Sequence, residues 1–315
     1  MTKKHTLLVV NEFHQETISQ LDTLYHTHHF WKHSAAEKID LLEALQGKCR
    51  AAATGSWECD SLIYKLNSLQ LVSCFGVGVN AIDFEETSRR EIKVSNTPDV
   101  LNDAVADIAL ALILATTRKL VIADKFVRSG EWKMGSLAFG NGLANKTLGI
   151  IGLGRIGEEI VQRALPFKLK IAYHNRAPKN LPYTYYPSIA ELAKNSDILL
   201  CMLPGGETTQ NIIDAEIFRN LGPEGVFINV GRGTTVDEEA LVAALQSKQI
   251  FAAGLDVYAK EPDVPEALLS MENIVLLPHI GSATIETRRA MGNLLIENLE
   301  AFFSNKPLPT EVSQP

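Results

Sequence analysis

Three polar residues stand just beyond short apolar, strand-like runs in the second half of this 315-residue sequence. Arg232 follows Val226-Phe227-Ile228-Asn229-Val230, Glu261 follows Leu255-Asp256-Val257 after a short loop, and His279 follows Ile274-Val275-Leu276-Leu277-Pro278. If these runs are strands of one open parallel sheet, their carboxyl ends share an edge, and ligands bind at that edge. Taken singly, each residue has a bland reading: a surface arginine, a loop acid before Pro262, a hydrogen-bonded histidine. Together they make a set for reducing a 2-oxo acid. Arg232 would hold the substrate carboxylate and polarise the carbonyl. His279 would protonate the developing alkoxide in reduction and accept that proton in oxidation. Glu261, bonded to the other ring nitrogen, would fix the tautomer and favour the imidazolium.

Such chemistry needs a hydride carrier, and the sequence offers a place for one. Gly152-Leu153-Gly154-Arg155-Ile156-Gly157 fits G-x-G-x-x-G, follows the strand-like Thr147 to Ile151 and opens a helical run from Glu158. That context is what distinguishes a dinucleotide fingerprint from a structural glycine turn. Gly152 allows the tight turn, Gly154 lets pyrophosphate approach the backbone, and Gly157 lets the helix sit close to the sheet. The helix N-terminus at Arg155 and Ile156 supplies N–H groups and the positive dipole end. Roughly 20 residues on, an acid would hold the ribose 2′-OH of NAD. Here the second strand ends in His174-Asn175-Arg176, with Lys179 close by and no carboxylate. Arg176 can pair with a 2′-phosphate and Asn175 can donate to it. The expected cofactor is therefore NADP (NADPH), with NAD as the second choice; the alternative is that Arg176 is a solvated loop residue.

Composition agrees with an α/β enzyme. Hydrophobic residues make up 46% and charged residues 21%, enough apolar surface for two cores by the usual domain size. Thirty Lys and Arg against thirty-seven Asp and Glu give a net charge of −7. No basic stripe stands out, so nucleic acid is not an expected partner. The apolar run Ile108 to Ala115 falls far short of the ~20 residues of a membrane helix, and Leu7 to Val10 is too short for a signal-peptide core. A cytoplasmic protein is expected. Cys49, Cys59, Cys74 and Cys201 are scattered, which suggests neither a disulfide framework nor a zinc site. His26, His28, His29 and His33 could form a metal site, but no Cys or carboxylate completes a ligand set; a half-exposed strand and its flanks is the preferred reading, and no metal is expected.

Along the chain, short β-branched runs alternate with amphipathic helical stretches. Strands are expected at Thr6 to Val10, Ala51 to Ala53, Leu69 to Ser73 and Ile92 to Ser95. In the second half they are expected at Thr147 to Ile151, Leu169 to Tyr173, Ile198 to Leu203, Val226 to Val230, Ala252 to Val257 and Ile274 to Leu277. From Asp99 to about Ser129 the chain reads as one long helix, with Val105, Ile108, Leu112 and Ala115 on one face. Asp237 is a ready N-cap for a helix from Glu238, and Ile285 to Phe303 is again amphipathic.

These motifs, in this order, give the chain a resemblance to the D-isomer-specific 2-hydroxyacid dehydrogenases, and among them to the glyoxylate/hydroxypyruvate reductases. It runs nearly end to end through Ser73-Cys74-Phe75-Gly76-Val77-Gly78, the Gly152 fingerprint, Asn229-Val230-Gly231-Arg232-Gly233, Gly254-Leu255-Asp256-Val257, Glu261-Pro262 and Pro278-His279-Ile280-Gly281. The resemblance implies two doubly wound parallel-sheet α/β domains. A Rossmann-type cofactor domain (99–285) would be inserted into a flavodoxin-like substrate domain (1–98 plus 286–315). It implies Arg232, Glu261 and His279 as the catalytic trio, substrate carboxylate received by N–H groups near Val77 and Gly78, and Ser56 in a second substrate-facing loop. Asp256 would contact the nicotinamide amide, while Leu203, Pro204 and Thr209 would line the adenosine and phosphate side beside Val230. Family members are usually homodimers joined through their cofactor domains. The partner expected from all this is a small 2-oxo or 2-hydroxy acid. Glu261, where formate dehydrogenases of this fold carry Gln, disfavours formate oxidation. The alternatives are a D-lactate or phenylpyruvate-type reductase, differing in pocket shape, and a nucleotide-sensing corepressor. Phe75, Trp57, Trp132 and Met134 are either pocket or core residues. No Y-x-x-x-K occurs, which sets a short-chain dehydrogenase aside.

Overall fold

A computed structural model describes residues 4–313. The chain falls into two compact units, one running up to Leu101 and resuming at Thr284, the other spanning Asn102–Ala283. In the first unit, β1 (Thr6–Val9), α1 (Gln15–Leu24), β2 (His26–His29), α2 (Ala35–Leu45), β3 (Cys49–Gly55), β4 (Leu71–Phe75), α3 (Phe84–Arg89) and β5 (Lys93–Ser95) succeed one another. Every strand pair is parallel, in the order β2-β1-β3-β4-β5. That is the flavodoxin-like order, with its switch point between β1 and β3. Strand β4 is buried on both faces, as a central parallel strand must be. The histidines fall where expected. They form the half-exposed edge strand β2 and its flank, with His29 bonded to Asp22 at 2.8 Å and stacked on Trp31.

The second unit holds α4 (Asn102–Thr117), α5 (Leu120–Arg128), β6 (Thr147–Ile151), α6 (Arg155–Ala164), β7 (Lys170–His174), β8 (Thr184–Tyr185), α7 (Ile189–Lys194) and β9 (Ile198–Cys201). It continues through α8 (Ala215–Leu221), β10 (Val226–Asn229), α9 (Glu238–Gln246), β11 (Ala252–Leu255), α10 (Glu266–Leu269) and β12 (Ile274–Leu276). Its seven strands are ordered β12-β11-β10-β9-β6-β7-β8, all parallel. The order reverses between β6 and β9, which is where a dinucleotide lies in this architecture. Strand β8 is not legible in the sequence, because two residues carry no periodic signal. Asp237 caps α9 as expected, accepting the Ala240 N–H at 3.0 Å.

The single long helix expected from Asp99 to Ser129 is two helices. Lys119 adopts a left-handed φ of 55°, and the Thr117 carbonyl accepts from Asn141 N–H at 2.8 Å. That carbonyl is the one the next turn would have needed, so α4 stops and α5 starts anew. The chain then returns to the first unit as α11 (Ile285–Phe303). Gly292 lies so close to α1 that a Cβ there would sit 2.1 Å from Thr17 Oγ1. Phe303 stacks on His5 with centroids 4.3 Å apart.

Candidate active site

The strands of the second unit all point the same way, so the residues following each strand collect at one edge. The glycine turn after β6 is built as its sequence requires. Gly152 has φ of +91°, and a Cβ on Gly157 would crowd Leu153 Cδ1 at 3.1 Å and the Gly152 carbonyl at 3.3 Å. Gly154, the N-cap of α6, has no side chain to cap the helix, and a Cβ there would meet nothing within 4 Å. An uncapped first turn facing open space suits a pyrophosphate. The turn's residues thus fit a dinucleotide.

The loops flanking the turn interlock through backbone. A Cβ on Gly152 would lie 3.2 Å from the Met202 carbonyl, and one on Gly231 2.6 Å from the Leu203 carbonyl. Leu203 therefore sits between the glycine turn and the Arg232 loop. Pro204 is exposed beyond it, and Val230 is buried, donating to the Cys201 carbonyl at 3.3 Å. Thr209 spends its hydroxyl within its own loop, on the Pro204 carbonyl at 2.8 Å.

Arg232 and Glu261 are brought together in the same way. A Cβ on Gly233 would fall 1.8 Å from the Tyr258 carbonyl carbon, so the loop after β10 lies directly on the loop after β11. Two fully buried polar side chains hold the first of these loops. Asn229 accepts the Gly231 N–H at 3.0 Å and donates to the Arg232 carbonyl at 3.1 Å; the Thr235 hydroxyl donates to the same carbonyl at 2.6 Å. The Arg232 side chain donates to the Gly231 carbonyl at 2.8 Å.

Glu261 and His279 form a direct pair, His279 Nδ1 lying 2.6 Å from Glu261 Oε2. The other oxygen, Oε1, accepts the Tyr258 N–H at 3.0 Å. Burial acts to raise the Glu261 pKa, but the bond and charge of His279, the Tyr258 N–H and the charge of Arg232 outweigh it. The carboxyl is held below the ordinary 4.5. An ionised Glu261 only accepts, so Nδ1 carries the proton and Nε2 is left to exchange one with a substrate. The contribution of Glu261 to stability is complete above pH 4.5 and is lost as pH falls below that, through the lowered value. A pH–rate profile should show no acid limb from Glu261 above pH 4.5; one there that Glu261→Gln abolishes would contradict the assignment.

Asp256, expected to contact a nicotinamide amide, lies under the loop that carries His279. It is 1% exposed, and its two oxygens accept the N–H groups of Ile280 and Gly281, both at 2.8 Å. Between these donors and Pro278, His279 is held at a left-handed φ of 54°, a conformation a non-glycine residue keeps only when its surroundings impose it. Tyr258, its hydroxyl pushed up to about 12 by burial and neighbouring carboxylates, donates to the Leu277 carbonyl at 2.9 Å and pins the other end of the loop. An amide at position 256 has one acceptor and would turn its NH2 on one of the two N–H donors. Asp256→Asn should therefore cost about 1–3 kcal/mol of stability and lower kcat. Unchanged thermal unfolding and turnover would show that the carboxylate does not hold this loop.

Asn175, expected to donate to a 2′-phosphate, is also bonded to the glycine turn. Its amide oxygen accepts the Leu153 N–H at 2.7 Å and its nitrogen donates to the Leu153 carbonyl at 3.1 Å, bracing the glycine turn. Lys179 is drawn to Glu158 at 3.0 Å. Arg176 is exposed, and among the described residues its guanidinium has no partner.

In the first unit, Ser56 packs over Gly76, whose Cβ would fall 2.4 Å from the serine hydroxyl. Val77 and Gly78 follow at the end of β4. Phe75 is fully buried and stacked on Phe13 with centroids 5.0 Å apart, a core residue. Trp57 lies over Gly55 and is 47% exposed, and Trp132 and Met134 are exposed. Sequence reasoning missed Asn229, Thr235 and Tyr258. Only Asn229 left a signal, as the polar end of an otherwise apolar strand.

Comparison with known proteins agrees with this architecture. The family model of the D-isomer specific 2-hydroxyacid dehydrogenase NAD-binding domain matches residues 110–281. A hydroxyphenylpyruvate reductase of Plectranthus scutellarioides is 46% identical over 93% of this chain and 94% of its own. A glyoxylate/hydroxypyruvate reductase A of Arabidopsis thaliana is 45% identical over the same shares. Among solved structures, an NADPH-dependent glyoxylate/hydroxypyruvate reductase from Sinorhizobium meliloti, in complex with NADP and malonate, superposes with a TM-score of 0.91. It shows 38% identity, covering 99% of this chain and 98% of that one. The fold and the edge it builds are those of a nucleotide-dependent oxidoreductase. The chain belongs to the D-isomer-specific 2-hydroxyacid dehydrogenases.

Proposed function

We propose that this protein reduces a small 2-oxo acid, glyoxylate or hydroxypyruvate, to the corresponding 2-hydroxy acid, of D configuration where a stereocentre forms, with NADPH preferred over NADH. The observation that carries the reading is the 2.6 Å His279–Glu261 pair, with the charge of Arg232 on the same carboxylate, at the sheet edge that bears the glycine turn. A bound nicotinamide cofactor supplies a hydride to the substrate carbonyl carbon. The residues of the chain do the rest. Arg232 binds the carboxylate and draws charge onto the carbonyl oxygen. His279 gives its Nε2 proton to that oxygen, and Glu261 keeps Nδ1 protonated and the ring aimed. Backbone N–H groups of Val77 and Gly78, in the first unit, receive the substrate carboxylate.

Support for NADPH comes from the exposed, unpartnered Arg176 at the end of β7 and from the NADP-bound relative. Arg176→Ala should raise KM for NADPH by roughly 10-fold, the worth of one charged hydrogen bond, and leave KM for NADH nearly unchanged. Equal effects on both would remove Arg176 from 2′-phosphate recognition. A phenylpyruvate-type specificity is the second reading, favoured by the likeness to a hydroxyphenylpyruvate reductase. Steady-state kinetics on glyoxylate, hydroxypyruvate, pyruvate and phenylpyruvate with both cofactors decide between them; turnover of none, with nucleotide still bound, would instead support the corepressor.

A homodimer is supported by α5, which buries none of its residues and exposes Leu120, Val121 and Val127 ahead of exposed Trp132, Met134 and Phe139. A cytoplasmic location is supported by four free cysteines, three of them buried. Among the described residues no helix is long and apolar enough to cross a membrane.

A further inference from the structure

We infer that Asn96 and Thr97, clamped by Thr310 and Asn298, are positioning residues that aim the N–H groups of Val77 and Gly78 at the substrate carboxylate. The inference rests on the proposed role of those two N–H groups and adds what orients them. In a trans peptide the carbonyl and the next residue's N–H point in opposite directions, and both peptides here are trans. The Gly76 carbonyl accepts the Thr97 N–H at 2.9 Å, which turns the Val77 N–H the other way. The Val77 carbonyl accepts from Asn96 Nδ2 at 2.9 Å, which does the same for the Gly78 N–H. The Thr97 hydroxyl accepts the Gly76 N–H at 3.0 Å, closing a double grip on that residue. Two consecutive donors are thereby presented on the face away from Asn96 and Thr97, and among the described residues neither has an acceptor.

Asn96 does not hold itself. Its backbone is clamped by one residue of the C-terminal segment: Asn96 N–H donates to the Thr310 carbonyl at 3.3 Å, and the Thr310 hydroxyl donates to the Asn96 carbonyl at 2.6 Å. That hydroxyl accepts in turn from Asn298 Nδ2 at 2.8 Å, and Asn298 Oδ1 accepts the Thr310 N–H at 3.2 Å. Asn298, fully buried in α11, spends its remaining amide hydrogen on the Leu294 carbonyl at 2.8 Å. A buried asparagine costs stability unless its bonds are made, so each link here has a fixed direction and little freedom to rotate. Orientation set at Asn298 is passed through Thr310 and Asn96 to the Val77–Gly78 peptide.

The test is Thr310→Val, which keeps the shape and removes the hydroxyl, with Thr310→Ser as the variant that restores it. Thr310 bonds none of the proposed substrate or cofactor residues. Thr310→Val should raise KM for glyoxylate and for hydroxypyruvate about tenfold, as expected when buried partners lose a bond, with kcat and KM for NADPH within about twofold; Thr310→Ser should return KM to within about twofold of the parent. Gly78→Pro, which deletes one of the two donors, is measured alongside. A raised KM in Gly78→Pro with an unchanged one in Thr310→Val overturns this inference alone. An unchanged KM in both overturns the carboxylate role of the loop and the inference with it. Equal losses in kcat and in both KM values, or failure of Thr310→Val to fold while Thr310→Ser behaves as the parent in folding but not in KM, would mark a purely structural contact and overturn it too.

Discussion

Replacing His279 by alanine is expected to lower kcat for 2-oxo acid reduction by roughly 10²–10⁴-fold, the usual worth of a positioned general acid. KM for NADPH should change little, because the glycine turn, Leu203 and the first turn of α6 are built without the imidazole. The size of the effect follows from the geometry. Nδ1 is committed to Glu261 at 2.6 Å, so only Nε2 can deliver a proton, and water taking its place would lack both the aim and the carboxylate behind it. Glu261→Gln should fall between parent and His279→Ala, since an amide can still accept from Nδ1 but brings no charge. Adding His279→Ala to Glu261→Gln should cost nothing beyond His279→Ala alone, because residues acting as one unit are not additive. A His279→Ala enzyme with parental turnover, or a double variant whose losses multiply, would remove the pair from proton transfer.

The loop that presents His279 is also where sequence and structure part company in an instructive way. Strand runs such as Val226 to Val230 and Ile274 to Leu277 are legible because a buried parallel strand needs a continuous apolar stretch, and the residues after each run must then lie at one edge. The Gly152 turn is legible because few residue types tolerate its geometry. Side-chain roles at the edge are less so. Asp256, Asn175 and Thr209 have the chemistry to touch a cofactor, and nothing in their spacing says that they also bond backbone groups of Ile280, Leu153 and Pro204. Asp256 could not have been read as a brace without knowing that His279 needs a left-handed backbone. The break between α4 and α5 is hidden for a similar reason: Asn141, far along the chain, claims the Thr117 carbonyl, and no local pattern announces a competitor from that distance. Local propensity shows what each segment prefers; the long-range hydrogen bonds decide which preference yields.

Arg232→Gln is expected to reduce kcat/KM for 2-oxo acids by 10³-fold or more. Two effects add. Loss of the guanidinium removes a charge-assisted bond to the substrate carboxylate, which appears in KM, and it removes the field that draws charge onto the carbonyl oxygen, which appears in kcat at roughly 10²–10³-fold. Arg232→Lys should recover only part of this, because an ammonium is a point charge without the planar fork. The fold should survive either change. The loop is held by Asn229, by Thr235 and by the seat of Gly233 on Tyr258, with the Arg232 backbone rather than its side chain as the gripped element. Arg232 also contributes to keeping Glu261 ionised, so its loss should let the Glu261 pKa move upward toward the ordinary range, though the His279 bond is the larger restraint. Thermal unfolding close to the parent, with collapse of kcat/KM for every 2-oxo acid and unaltered NADPH affinity, is the pattern required. A variant that unfolds early, or one that loses cofactor and substrate affinity alike, would show Arg232 to be part of the frame and not of the chemistry.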